Sequence, residues 1–214
     1  MELDFATLSR AERYKLLVST VVPRPIALVT TVSKTGIVNS APFSFFNAMS
    51  SEPPLVVLGL EVTDYAPRKD TGDNIRDTGE FVVSLVSQAI APHMNLCAMD
   101  FPAEEDELEG AGLTAVPSVK VKAPYIKESP VSFECRRMTT LEVGTGNRIV
   151  VGEVLYMHID DACFDPATFH VDAPMMQLIG RMHGGGWYTD TTGTFNMPRI
   201  AYADWAVERR KAGE

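Results

Sequence analysis

The sequence predicts a mainly β protein of the α+β class, in which a closed barrel carries a few peripheral helices. Two observations lead to this class. Apolar, β-branched runs such as "IALVTTVS" and "LVVLGLEV" are typical of strands. Glycine-containing stretches, "KTG" and "GTGN", are typical of the turns that join such runs as hairpins. No internal repeat or low-complexity linker interrupts the chain, so we expect one domain over residues 1–214.

Local signals place the elements of the first half. Ser9 and Glu12 have the spacing of a capping box, which predicts a helix start. Gly36 supplies the turn of a hairpin within "VVPRPIALVTTVSKTGIVNSAPF". Asp70 or Thr71 is expected to cap a short helix. The elements predicted in order are a helix at about 9–20, this hairpin, a strand at 55–62, a helix at about 70–77 and a strand at 80–87.

The second half is predicted to hold two long strands. Residues 88–110 combine a helix with the acidic stretch "AEEDELEG", which we interpret as a solvated face. The runs "VSFECRRMTTLEVG" and "RIVVGEVLYMHID" are then joined at "GTGN" as a hairpin. The segment "LIGRMHGGGWYTDTTGTFNMPRI" is rich in Gly and Thr, and we expect a C-terminal loop over about 180–214.

Composition excludes several classes of function. The formal net charge of −9 argues against nucleic-acid binding, which needs a basic surface. No run approaches the roughly 20 apolar residues of a membrane span, and the N-terminus lacks the pattern of a secretory signal. Three widely spaced cysteines, Cys97, Cys135 and Cys163, argue against a disulfide framework. We therefore expect a cytoplasmic protein with buried core thiols.

Familiar catalytic and metal motifs are missing from the sequence. It has no Gly-x-Gly-x-x-Gly after a strand, no P-loop and no Gly-x-Ser-x-Gly. His93 lies four residues before Cys97, and His158 lies two before Asp160, but two ligands are too few for a metal site. We interpret these pairs as a helix face and a strand end, and we predict no metal.

Two stretches in the first strands could carry binding groups. Arg24 stands between two prolines, which stiffen the chain, so it is either presented rigidly to a ligand or is a surface arginine. In "NSAPFSFFN", the side chains of Ser40, Ser44 and Asn47 could line a polar cleft. For Phe43 and Phe45, spaced by two, we favour a strand with its aromatic residues in the core.

Two later stretches suggest a phosphate and a flat ring. Arg68 and Lys69 precede a predicted helix start, whose free N–H groups and positive dipole end suit a phosphate. By itself, this stretch is better explained as a solvated charge run capped by Asp70. In "IGRMHGGGWYTD", the glycines permit a close backbone approach to a flat ligand, beside Arg181, His183 and an aromatic pair. The alternative is a flexible loop. Together, the four stretches describe a site for flavin mononucleotide (FMN).

The motifs also resemble a known family. The runs "RPIALVTTVSKTGIVNSAPFSFFNAMSSEPPLVVLGL", "RKDTGDNIRDTGEFVVSLVS" and "IGRMHGGGWY" are similar, in order and spacing, to those of the flavin reductase-like family. This family includes nitrilotriacetate monooxygenase component B and the flavoredoxins. The likeness extends from about Pro23 to Tyr188. It implies an FMN-binding split β-barrel of the Greek-key type, and a homodimer with FMN near the subunit interface.

The resemblance assigns roles to individual residues. It implies a flavin site formed by Asn39, Ser40, Ala41 and Ser44, and phosphate binding by Arg68, Lys69 and Thr71. It places the C-terminal loop near the ring and the nicotinamide, which implies catalytic roles for Arg181 and His183. His183 is a departure, because many relatives have "GRLGG" where this chain has "GRMHGGG". Negative charge on the reduced flavin would need a cation, for which we name Arg24.

The sequence thus predicts an NAD(P)H:flavin oxidoreductase with FMN as cofactor and NADH or NADPH as electron donor. One form of this function is the reductase component of a two-component flavin monooxygenase, which would have a partner oxygenase or another electron-acceptor protein. Two alternatives stay open. One is a flavoredoxin-like electron carrier, and the other is a non-catalytic flavin-binding protein.

Overall fold

Antiparallel strands dominate the fold, which a computed structural model describes over residues 1–62, 70–99, 101–102, 105–203, 205 and 209. The strands are β1 Arg24–Pro25, β2 Ala27–Val32, β3 Val38–Phe43, β4 Phe46–Ser51, β5 Pro54–Leu60, β6 Glu80–Leu85, β7 Ala115–Val116, β8 Tyr125–Ile126, β9 Val131–Val143, β10 Asn147–Ile159, β11 Phe164–Asp165, β12 His170–Val171, β13 Ile179–Arg181 and β14 Tyr188–Asp190. The helices are α1 Arg10–Thr20, α2 Asp70–Thr78, α3 Ala91–Leu96 and α4 Glu107–Gly110, with 3₁₀ turns at Asp161–Cys163 and Ala173–Met176.

One sheet forms the body of the molecule. Its seven strands follow the order β3-β2-β6-β9-β10-β5-β4, and every neighbouring pair is antiparallel. The two edge strands, β3 and β4, are consecutive in the chain and are joined by residues 44–45 alone. Because so short a connection brings the strand ends within a few ångströms, the sheet must curl until its two edges meet. The result is a barrel with a seam between β3 and β4.

Two apolar layers hold this sheet in place. The barrel interior is filled from all sides by side chains such as Val29, Leu58 and Phe81, which are fully buried. A second cluster packs α3 and α4 against the outer face of the sheet, around Leu28 and Leu108. Strand β2 therefore buries both of its faces, which explains why its sequence "ALVTTV" has no polar alternation.

The structure confirms most of the elements predicted from local signals. Helix α1 begins after Ser9, whose side chain and that of Glu12 form the expected capping box. The hairpin at Gly36 and the long β9–β10 hairpin are both present. Asp70 and Thr71 lie inside α2, so the prediction that one of them caps it is wrong.

The prediction of a loop over the C-terminal segment is wrong in part. Strands β13 and β14 form a hairpin, and β13 also pairs with β1 in a separate three-stranded sheet. Arg24 lies opposite Arg181 in this sheet. A side chain on Gly180 would come within 2.9 Å of Pro23, so the glycine permits the close approach of β13 to β1. The β13–β14 hairpin is thereby fixed beside β1, which leads into the first strand of the barrel.

Candidate functional site

A cavity of about 500 Å³ lies beside the corner where β3 passes into β4. Most of its lining is apolar and comes from α1, this corner, β5 and β10: Leu17, Val21, Phe45, Phe46, Met49, Val57, Leu60 and Ile149. Polar groups stand among them: Arg24, Ser44, Asn47, Glu61, Asn147 and Arg148. The volume, and the combination of apolar and polar lining residues, are typical of a small-molecule site. The apolar walls would hold a ring, and the few polar groups would orient it.

The corner itself is shaped by Phe45 and Gly59. The backbone carbonyl of Phe45 accepts a hydrogen bond from the Gly59 N–H at 2.7 Å. A Cβ atom on Gly59 would lie 2.9 Å from the Phe45 Cβ, so only glycine lets the corner rest on β5. Phe45 consequently lines the cavity, whereas Phe43 is buried in the barrel core. The core prediction is therefore confirmed for Phe43 and wrong for Phe45.

Arg24 connects three segments around the cavity. Its guanidinium donates to the carbonyls of Val18 and Val21 at the end of α1, at 2.6 and 2.8 Å, and to the carbonyl of Met182 at 2.8 Å. A fourth N–H reaches the Ser44 hydroxyl at 3.3 Å. Burial lowers the pKa of Arg24 from its usual value, yet an arginine keeps its charge at neutral pH. Arg24 is thus both a buried clamp and a positive charge at the cavity wall.

The motif "NSAPFS" lies on β3 and at the corner. Asn39 is buried and donates its side-chain N–H to the hydroxyl of buried Thr71 at 3.0 Å, which links β3 to the first turn of α2. The Ser40 backbone N–H donates to the Glu107 carboxylate at 2.6 Å. Ala41 is half-buried on the barrel side of β3. The structure therefore brings together two stretches, "NSAPFS" and the start of α2, that the sequence predicted to share one site.

Arg148 is a cation at this site that the sequence did not single out. Its guanidinium Nη1 forms an ion pair with Asp73 of α2 at 2.9 Å. A Cβ atom on Gly72 would lie 2.8 Å from the same Nη1, so glycine in the first turn of α2 makes room for the arginine. Arg148 also lines the cavity. It therefore places positive charge between the start of α2 and the cavity.

The C-terminal hairpin lies next to the cavity without lining it. The Arg181 guanidinium stacks on the Tyr188 ring, with 4.5 Å from its central carbon to the ring centroid. His183 is exposed, and its ring lies tilted beside Trp187 with the centroids 5.7 Å apart. Neither Arg181 nor His183 contributes to the cavity wall. Their connection to it is indirect, through the bond from Arg24 to the Met182 carbonyl.

The structure also bears on the predicted phosphate-binding residues and on the two histidines considered as metal ligands. Arg68 and Lys69 lie outside the described residues, so their predicted role in phosphate binding stays a prediction. His93 pairs with the Ala111 carbonyl at 2.8 Å, and His158 pairs with Glu134. No group of three or more metal-ligating side chains occurs in the described part of the chain. No helix among the residues searched is long and apolar enough to cross a membrane.

The cysteines are confirmed as buried, unpaired thiols. Burial raises the pKa of Cys97 to about 11, and it raises the pKa of Cys135 further still. Both side chains are therefore protonated and poorly nucleophilic at neutral pH. Cysteine chemistry contributes nothing to this site.

Comparisons with known proteins agree with this architecture. Residues 18–176 match the family model described as "Flavin reductase like domain". An uncharacterized protein from Deinococcus radiodurans is 44% identical over 208 residues, which cover 94% of this chain and 91% of the relative.

Two solved structures are similar over nearly the whole chain. Nitrilotriacetate monooxygenase component B from Bacillus cereus superposes with a TM-score of 0.86 at 28% identity, covering 92% of this chain and 98% of that one. The 2-nitrobenzoate 2-nitroreductase NbaA from Pseudomonas fluorescens gives a TM-score of 0.85 at 32% identity, covering 94% and 98%.

These findings define first a class and then a family. The seven-stranded sheet with its seam at the β3–β4 corner is a split β-barrel, as the structural matches confirm. The chain belongs to the flavin reductase-like family, because the family model matches most of its length and the relative from Deinococcus radiodurans is similar throughout. It is therefore a member of a flavin-binding family.

Proposed function

We propose that this protein is an FMN-dependent NAD(P)H:flavin oxidoreductase. The observation that carries the proposal is the junction of the cavity with the start of α2. At one end, Phe45 and Phe46 give the cavity an apolar wall that suits a ring system. At the other end, Arg148 reaches the first turn of α2, where free N–H groups favour an anion. A flavin mononucleotide likewise carries a ring system at one end and a phosphate at the other.

The proposal assigns the cofactor to residues of β3, of the β3–β4 corner and of the stretch around the start of α2. In the proposal, Asn39, Ser40, Ala41 and Ser44 hold the flavin, and Arg68, Lys69 and Thr71 hold its phosphate. The Asn39–Thr71 hydrogen bond supports a shared role, because it ties the flavin stretch to the phosphate stretch. Arg148 adds a cation that balances Asp73. Replacing Lys69 with alanine should weaken FMN retention, and an unchanged dissociation constant for FMN would remove the phosphate assignment.

A bound flavin would supply the hydride acceptor for NADH or NADPH. The protein's own contribution is positioning and electrostatics. Arg24 keeps a positive charge at the cavity wall and orients the Ser44 hydroxyl there. Arg181 and His183, on the hairpin that Arg24 fixes through Met182, are proposed to approach the nicotinamide. The apolar walls exclude water from the two rings.

Anaerobic visible spectroscopy tests this function. The purified protein is loaded with FMN, and its flavin absorption is followed after addition of NADH and, separately, of NADPH. Bleaching with either donor supports the oxidoreductase and identifies the donor. A bound flavin that stays yellow with both donors contradicts it and favours an electron carrier or a non-catalytic flavin protein. Failure to retain FMN, combined with turnover of added FMN, would show that flavin is a substrate.

A second candidate is the reduction of a nitroaromatic acid. The sequence identity to 2-nitrobenzoate 2-nitroreductase, 32%, exceeds the 28% to nitrilotriacetate monooxygenase component B, and the two TM-scores, 0.85 and 0.86, are nearly equal. The cavity combines aromatic walls with the Arg148 cation, which suits an aromatic carboxylate. Addition of 2-nitrobenzoate to the NADH-reduced protein tests it. Anaerobic re-oxidation of the flavin by this compound, but not by buffer, supports the second candidate.

The proposed assembly is a homodimer with FMN near its interface, in a reducing cytoplasmic compartment. Three buried, unpaired cysteines are in keeping with such a compartment. A partner monooxygenase is proposed from the similarity to nitrilotriacetate monooxygenase component B. Stimulation of a purified oxygenase by the reduced protein would support this partner, and equal stimulation by free reduced flavin would remove the need for direct contact.

A further inference from the structure

A second cavity, of about 760 Å³, opens beside the first. Four residues line both cavities: Leu17, Phe45, Glu61 and Asn147. The two spaces are therefore neighbours along one groove, with α1 as a continuous wall. A ligand longer than a single ring could occupy both.

The outer part of this groove is cationic on the side of α1. Arg10, Arg13, Tyr14 and Leu17 line it and have the spacing i, i+3, i+4, i+7, which places them on one face of the helix. From Leu17, shared by the two cavities, to Arg10 is about two helical turns, or about 10 Å. The chain carries a formal net charge of −9, so two arginines on one wall are a local feature against an acidic background.

The two arginines are held differently. Arg10 donates a hydrogen bond to the Val62 carbonyl, which fixes it at the mouth of the groove. Among the residues that the structure describes, Arg13 donates one hydrogen bond, to the Phe5 carbonyl at 3.2 Å. A guanidinium has five N–H donors in a planar fork, so Arg13 retains donors with which to bind a phosphate oxygen. Glu61 lies at the wall shared by both cavities, between the apolar space and the arginines.

We propose that this face of α1 is the binding subsite for the diphosphate of the dinucleotide donor. The proposal rests on the proposed function. The chemical order along the groove is that of the reduced nicotinamide dinucleotide: an apolar space for the ring, the Glu61 carboxylate for ribose hydroxyls, and Arg10 with Arg13 for the diphosphate. A carboxylate that accepts hydrogen bonds from ribose is a familiar feature of dinucleotide sites, and arginine forks suit phosphate oxygens.

The test compares Arg13→Ala with the wild type, both loaded with FMN. For NADH, or NADPH if that is the active donor, the variant should raise KM about ten-fold with little change in kcat, as expected for a lost charge-assisted hydrogen bond. For 1-benzyl-1,4-dihydronicotinamide, a donor without phosphates, the two proteins should give the same rates. Arg13→Lys should restore part of the loss. Lys15→Ala, which removes an exposed charge from the same helix but lines neither cavity, should behave as wild type.

Calorimetric titration with NAD⁺ gives a second readout that needs no turnover. Weaker NAD⁺ binding by Arg13→Ala, with unchanged FMN affinity, supports the subsite. Equal KM and equal NAD⁺ affinity in wild type and Arg13→Ala would overturn the subsite and leave the oxidoreductase intact. If the wild type is reduced by neither donor, the proposed function fails, and the NAD⁺ titration alone then decides for or against the subsite.

Discussion

At the scale of single residues, one buried carboxylate outside the cavity lining is held by several hydrogen bonds. Glu134 of β9 is fully buried and accepts hydrogen bonds from the backbone N–H groups of Val119, Lys120 and Val121, at 2.7, 2.5 and 3.2 Å. His158 of β10 adds a fourth at 2.6 Å. Burial acts to raise the pKa of Glu134, but these hydrogen bonds outweigh it and hold the pKa below its usual value.

This arrangement makes stability depend on pH with a definite sign. Because the folded-state pKa is depressed, the contribution of Glu134 is present above the ordinary value of 4.5 and is lost as pH falls through the folded-state pKa. Glu134→Gln should lower the free energy of unfolding at pH 7 by about 3 kcal/mol, since an amide cannot satisfy donors arranged for a carboxylate. It should also flatten the acid side of the stability curve. Urea unfolding at a series of pH values measures both effects.

Glu153 provides the matched control for Glu134. It accepts a hydrogen bond from the exposed Arg136 at 2.7 Å, on the neighbouring strand. Exposed pairs of this kind contribute about 0–1 kcal/mol. Glu153→Gln should therefore leave the free energy of unfolding nearly unchanged. A similar loss in both variants would mean that the buried hydrogen bonds of Glu134 are not the cause.

His183 supports a prediction about activity at the same scale. His183→Ala should slow flavin bleaching by the dinucleotide donor about ten-fold, as expected when one hydrogen bond to the reacting pair is removed. FMN affinity should stay unchanged, because His183 does not line the cavity. Stopped-flow absorbance under anaerobic conditions measures the rate. His170→Ala, which removes an exposed histidine from β12, is the control. An unaltered rate in His183→Ala would exclude a catalytic role.

At the scale of elements, local signals allowed prediction and distant pairings did not. The capping box at Ser9 and the turn at Gly36 each depend on residues that are close together in the sequence, and both elements form as expected. Strand β13 spans only three residues, too few to show a periodicity, and it pairs with β1 from the far end of the chain. Arg148 reaches the site only because β10 pairs with β5 beside α2. Neither contact has a signature in the local sequence.

A glycine in β10 shows how closely two distant elements are fitted. Gly152 lies at an irregularity in the β9–β10 pairing, and a Cβ atom there would lie 2.3 Å from the Cζ of Phe81. Phe81 is fully buried in the barrel core, so it has little room to move. Gly152→Ala should destabilise the fold by about 1–3 kcal/mol, the usual cost of overpacking. Thermal and urea unfolding provide the measurement.

The double variant distinguishes a clash from a backbone effect. If the Phe81 ring is the obstacle, adding Phe81→Leu should recover part of the stability lost in Gly152→Ala, in a double-mutant cycle. Gly184→Ala is the control, because a Cβ atom at Gly184 would meet no described atom within 4 Å. Strict additivity of the Phe81 and Gly152 changes would contradict the clash.

At the scale of the whole molecule, one hairpin exposes apolar side chains that the described fold does not cover. The outer half of β9 carries Met138, Leu141 and Val143, which are 53%, 54% and 44% exposed. Exposed side chains occur there at consecutive positions, such as 138 and 139 and again 141 to 143, so both faces of the β9 arm meet solvent in a single chain. Met138 lies on one face of the arm and Leu141 and Val143 lie on the other, and several exposed apolar side chains on one element are typical of an interaction site. It is the surface to which we assign the contact of the proposed homodimer.

The double variant Met138→Glu, Leu141→Glu should therefore convert the protein to a monomer, because burying two carboxylates in an apolar contact is costly. Light scattering after size-exclusion chromatography measures the mass. FMN retention should fall with the loss of the dimer if the cofactor lies near the interface. Met99→Glu, which places the same charge at another exposed methionine, should leave both the mass and the FMN retention unchanged.

A wild type that is monomeric at micromolar concentration would overturn the homodimer, whereas a dimeric double variant would move the interface to another surface. Loss of the dimer without loss of FMN would show that one chain suffices to hold the cofactor, and the cavity beside the β3–β4 corner would then be a complete flavin site by itself.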